Sequence, residues 1–176
     1  MSESKQEVIM RITAVVTIAV ISALQAVAAG PKQTVTIFSG KTPVLQLETT
    51  GKTDVTPIAN KTVVHTPDMF LHIWTQPKNA TIKHTIDNIS TVIKGDFTDF
   101  KPQNVKLLKL GQNTVKLIAG PGVEADDGDD GNAEVAIFKV GDRVFVACIH
   151  GEGPVEKAEH NAMLAAIKSA HKPSAK

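Results

Sequence analysis

The sequence predicts an α+β domain built on an antiparallel β-sheet flanked by helices, an α/β/α sandwich. Three observations lead there. The two longest strand-like segments are apolar on both faces: in Arg143–His150, Val144, Val146 and Cys148 point one way and Phe145, Ala147 and Ile149 the other. The preceding segment repeats this, with Val135 and Ile137 opposed to Ala136, Phe138 and Val140. Strands apolar on both sides must be covered on both sides, because a wet face would alternate with polar residues. The connections between such segments are too short for parallel crossovers, which makes the pairing antiparallel. Two segments with helical periodicity are available as covers.

In chain order, Thr34–Phe38 and Val44–Glu48 read as strands around the turn Ser39-Gly40-Lys41-Thr42-Pro43. Thr49 to Lys61 is rich in Thr, Gly and Pro and reads as a surface loop, followed by a short strand at Val63–His65. Met69–Thr75 is a stronger strand bounded by Pro67 and Pro77. From Thr81 to Lys94, Ile82, Ile86, Ile89 and Ile93 recur at spacings of four, three and four, which puts one apolar stripe on a helix. Asn79 is placed to cap it and Gly95 to stop it. Val105–Leu110, Asn113–Ala119, Ala133–Val140 and Arg143–His150 follow as strands, with tight turns at Gly111-Gln112 and Gly141-Asp142. Pro154 marks the start of an alanine-rich helix over residues 155–171, and 172–176 read as a frayed tail.

This order of elements resembles the PsbP-like superfamily, which includes the extrinsic photosystem PsbP proteins and a Ran-binding nuclear-transport factor. The match lies in an early hairpin, further strands, the helix at 81–94, the run of antiparallel strands and the closing helix at 155–171. The stretch EADDGDDGNAEVAIFKVGDRVFVACIHGEG is also similar to uncharacterised bacterial exported proteins. The resemblance implies a binding or assembly role more often than catalysis, and it carries no site residues with it.

Residues 1–28 read as a signal peptide. Lys5 and Arg11 precede an uncharged run from Ile12 to Ala29 that ends in the small-x-small triplet Ala26-Val27-Ala28, and the same run is long enough to stay as an uncleaved anchor. A linker at 29–33 and a single domain at 34–171 follow, and the expected compartment is periplasmic or secreted. The segment 1–28 carries two basic and two acidic residues, so its removal leaves the net charge at +1. That balance, with six Phe, one Trp and no Tyr, argues against bulk nucleic-acid binding and against stacking on bases or sugars. Membrane contact is expected only through the N-terminal signal or anchor. Cys148 is the only cysteine, so no intrachain disulfide forms.

Two places carry candidate chemistry. Between Glu124 and Glu134 stand six carboxylates and no cation: Glu124, Asp126, Asp127, Asp129, Asp130 and Glu134. Asp126, Asp127, Asp129, Asp130 and Glu134, with glycines among them, have the oxygen donors and backbone freedom that calcium needs. The spacing is not that of an EF-hand, since aligning Gly131 as its glycine puts Gly128 at the third position and Ile137 at the twelfth. The same residues also suit a solvated hairpin tip, or a surface for a basic protein partner. The second place is Cys148, His150 and Glu152. Cys148 and His150 share a strand face, which offers a small hydrolase or redox centre, or soft metal ligands. Against that, a lone cysteine commonly packs as a small hydrophobe. Elsewhere, His72 shares a strand face with Phe70 and Trp74 and is placed to line a pocket under a helix. The expected function is an exported, non-enzymatic binding or assembly module for a protein partner, with calcium binding at 124–134 and Cys148–His150 catalysis as alternatives.

Overall fold

The computed structural model describes residues 30–174. The expectations of a signal peptide or anchor at 1–28, and of fraying in the last two residues, lie outside them. The domain is α+β with a mostly antiparallel sheet. Among the described residues, no helix is long and apolar enough to cross a membrane.

Strands β1 (Lys32–Ser39) and β2 (Thr42–Thr50) form a separate hairpin. The main sheet runs β3 (Asp54–Ile58), β4 (Lys61–Thr66), β5 (Met69–Thr75), β10 (Arg143–Gly151), β9 (Asp130–Val140), β8 (Asn113–Glu124). At the far edge β8 pairs with both β7 (Gln103–Leu110) and the two-residue β6 (Phe97–Thr98). Every pairing is antiparallel.

Both faces of the central strands are covered. On one, Phe138, Phe145, Ala147 and Ile149 pack with Leu45 and Leu47 of the hairpin and with Met163 and Ile167 of helix α3 (Lys157–Ser169). On the other, Val135, Ile137, Val146 and Cys148 pack with Ile89 and Ile93 from the segment of α1 (Ile82–Asp87) and α2 (Ile89–Val92). One cover is thus a helix plus a β-hairpin, the other two short helices.

The closing helix begins at Lys157, with Glu156 as its cap, rather than just after Pro154, and four further differences from the sequence reading each have a local reason. The isoleucine stripe at 82–93 does bury, but the helix breaks at Asn88, which leaves helical geometry (φ −117°, ψ 16°) while its side-chain amide donates to the His84 carbonyl at 2.8 Å. The N-cap is Thr81 rather than Asn79, since Thr81 Oγ1 accepts from the His84 N–H at 3.1 Å. The supposed loop 49–61 holds β3, an exposed edge strand whose Pro57 is tolerated because an edge has no outer ladder to break. Finally, β8 and β9 extend through Gly122↔Gly131 and Val123↔Asp130, past the glycines that suggested a turn. Those glycines serve close approach: a Cβ on Gly122 would lie 2.5 Å from the Phe97 ring, and one on Gly131 2.8 Å from the Gly151 carbonyl.

Candidate functional site

The acidic hairpin tip is held by its own backbone. The Glu124 N–H donates to the Asp129 carbonyl, the Gly128 N–H to the Glu124 carbonyl, and Gly128 sits at φ +83°. Asp126 Oδ1 and Asp127 Oδ1 accept from the N–H groups of Asp127 and Asp129, the turn chemistry expected of Asp. Asp126, Asp127, Asp129 and Asp130 are exposed. Glu134 does not join them, because it pairs with His160 on α3. Carboxylate oxygens of Glu124, Asp126 and Asp127 lie within 4.8 Å of one another, as do those of Asp127, Asp129 and Glu152.

Cys148 is sealed in the core opposite His72 on β5. Burial pushes its thiol well above the ordinary range, and the Asp96 charge adds to that. A thiol so placed stays protonated, the opposite of an activated nucleophile. Glu152 lies at the surface beside Asp127 and Asp129, so Cys148, His150 and Glu152 do not form one constellation.

The structure instead gathers a buried polar cluster on the helix α1–α2 side of the sheet. Its residues are Lys61 (β4), His72 (β5), Asp96 (between α2 and β6), Glu124 (the end of β8) and His150 (the end of β10). Asp96 is the hub. Its side chain is 4 % exposed and accepts from Lys61 Nζ through one oxygen and from His72 Nδ1 through the other. Burial pushes the Asp96 carboxyl upward, but the hydrogen bonds and charges of His72 and Lys61 outweigh this and hold it below its ordinary value. The backbone fixes the hub as well. The Asp96 N–H donates to the Ile93 carbonyl at the end of α2, and its carbonyl accepts from the Ala125 N–H in the acidic turn. One backbone hydrogen bond thus ties the acidic turn to the hub.

The other half of the cluster is unsatisfied. His72 Nε2, both His150 ring nitrogens and Glu124 Oε1 are buried without a hydrogen-bond partner. His150 Nδ1 stands 3.7 Å from Glu124 Oε1, too far for a hydrogen bond. The His150 ring meets the His72 ring edge-on, centroids 5.2 Å apart, and tilts against Phe97 at 5.8 Å. His72 is wedged between Phe70 and Trp74, with centroids at 5.0 and 6.0 Å. An orphaned buried polar atom costs about 1–3 kcal/mol, so four such atoms together carry a local penalty that a bound group or an ordered water would relieve. His72, Asp96 and His150 each bring a donor atom within 4.8 Å of the other two.

A cleft of roughly 600 Å³ lies elsewhere, on the hairpin side among Thr36, Phe38, Val55 and Ile58, and its only titratable lining residue is Lys61. The sequence singles out His150 and the aromatic face of His72, but not Lys61, Asp96 and Glu124 as their partners. The available signal was Asp96 itself, a single carboxylate set between Ile93 and the core aromatics Phe97 and Phe100.

No protein-family model matches the chain, and no curated protein matches it. Among solved structures the chain is similar to a Bacteroides thetaiotaomicron VPI-5482 protein, with a TM-score of 0.52 and 12% identity. The similarity covers 83% of this chain and 49% of that one, so this chain spans about half the length of its structural neighbour. At that identity the likeness concerns the fold alone.

Proposed function

We propose that this protein is an exported, non-enzymatic binding or assembly module, an α/β/α sandwich of the PsbP-like kind, whose binding site is the buried cluster and the acidic rim above it. One observation carries the reading: four buried donor and acceptor atoms on His72, His150 and Glu124 lack partners while the neighbouring half of the same cluster is fully paired. Folding alone gains nothing from such atoms, whereas a bound group would satisfy them. The sealed, protonated Cys148 speaks against the hydrolase or redox alternative.

The test is stability in the presence of a chelator. Replacing the unpaired groups by apolar ones of similar size, His150→Leu together with Glu124→Met, raises the melting temperature if the cluster is kept for binding. A drop as large as that of a core truncation would make the cluster structural and sink the reading. Calcium at the tip is the second reading, favoured by the convergence of Glu124, Asp126 and Asp127. It predicts a calcium-dependent melting shift that Asp127→Asn plus Asp130→Asn abolishes.

A further inference from the structure

We infer that the cluster binds one divalent transition-metal ion of the zinc class, through His72 Nε2, His150 and Glu124, with Asp96 orienting His72 through Nδ1. This rests on the reading of the cluster as a binding site and names its ligand.

The four orphan atoms are the first ground. Each is a metal-ligating type: His72 and His150 bring donors within 4.8 Å of one another, and Glu124 Oε1 adjoins His150 at 3.7 Å without joining His72 in that group, so Glu124 must swing toward His72 to complete the set. Donors around a tetrahedral ion at 2.0–2.1 Å stand roughly 3.3 Å apart, so the Glu124–His150 pair needs to close by only a few tenths of an ångström. The second ground is the far side of His72. Its Nδ1 is bonded to the Asp96 carboxylate, which leaves Nε2 as the free donor; a ligating histidine usually hands its other ring N–H to a carboxylate in this way. Lys61 holds the remaining Asp96 oxygen and balances its charge. Two imidazoles and one carboxylate suit zinc, copper, nickel or iron over calcium or magnesium, and three protein donors leave a position open for water or a partner's group.

Entry is provided by the tip. Asp126 and Asp127 bring their carboxylates within 4.8 Å of Glu124, so a line of negative charge leads from solvent to the first ligand. Only 11 % of the Glu124 side chain and 14 % of that of His150 remain exposed at its inner end.

The experiment is a zinc titration of the chelator-stripped full-length chain by calorimetry, with cobalt(II) as a visible probe. One ion per chain is expected, with cobalt bands typical of a low-symmetry nitrogen-ligated site. Glu124→Gln and His150→Leu should each weaken zinc binding at least tenfold, and Asp96→Asn by about 10- to 100-fold, as outer-shell losses do. Asp127→Asn plus Asp130→Asn should preserve the stoichiometry. The wild-type cobalt spectrum decides the matter even if a variant fails to fold. Absence of stoichiometric zinc uptake, or uptake unaffected by both ligand variants, overturns the inference. If zinc fails while the Leu/Met double variant is stabilised, the metal is wrong and the binding site stands.

Discussion

Asp96→Asn is the change that probes the paired half of the cluster most sharply. The side chain is 4 % exposed and bridges Lys61 and His72, whose side chains are 14 % and 7 % exposed. The amide keeps the shape and can still accept one hydrogen bond, but it leaves the Lys61 ammonium facing a neutral group in the interior. Breaking one side of a buried ion pair costs about 3–5 kcal/mol. Lys61 has a flexible stem and some access to water, so it can turn its charge outward, which argues for the lower end, about 3 kcal/mol. At about 2–4 °C per kcal/mol for a domain near this size, the melting temperature falls by roughly 9 °C. The pH dependence fixes the sign. Because His72 and Lys61 hold the folded carboxyl below its unfolded value, its contribution is present above the ordinary carboxylate range and is lost as pH falls through the folded pKa. Urea denaturation of wild type and variant from neutral pH into acid should therefore show a gap that narrows as the pH drops. Lys61→Met, which leaves Asp96 bonded to His72, should cost less than Asp96→Asn. A neutral-pH difference below about 1 kcal/mol, or a gap that ignores pH, refutes Asp96 as the charged hub.

Gly122→Ala should lose about 1–3 kcal/mol in urea titrations, because its Cβ meets the Phe97 ring at 2.5 and 2.7 Å and the Thr98 carbonyl at 2.8 Å. A neutral effect would mean that Phe97 is not pinned between the β8 backbone and His150. Cys148 should resist aromatic disulfide reagents in the native protein and react fully in denaturant; fast native labelling would contradict its sealed, protonated state. Asp126→Asn with Asp129→Asn should shift stability by less than about 0.5 kcal/mol, since both side chains are exposed. The same pair should slow zinc association at low ionic strength and lose that effect at high salt, readable by stopped-flow.

Much of the fold was legible because it rests on local periodicity. The two-faced apolar strands at 135–149, the isoleucine stripe at 82–93 and the closing alanine-rich helix all pack as their patterns require. What failed were glycines and prolines in strands. Gly120, Pro121 and Gly122 carry turn chemistry, yet they let Lys101 and Phe97 lie against β8, a requirement set by neighbours about 19 and 25 residues away. The edge strand β3 escaped notice because neither of its faces is buried, so no alternation marks it. The site was legible only in pieces. His72 and His150 stood out by their strand faces, but Lys61, Asp96 and Glu124 reach them through sheet order and the α2–β6 connection, for which no spacing rule exists. Of the acidic run, Glu124 turns inward to His150 and Glu134 pairs with His160 on α3, while the aspartates stay exposed.

The most direct measurement is an anomalous difference map at the zinc edge from crystals grown with zinc. The expected result is one peak at about 2.0–2.2 Å from His72 Nε2, His150 and Glu124, with Asp96 still bonded to His72 Nδ1. A map with peaks only among Asp126, Asp127 and Asp129, or with none in the chain, would contradict it.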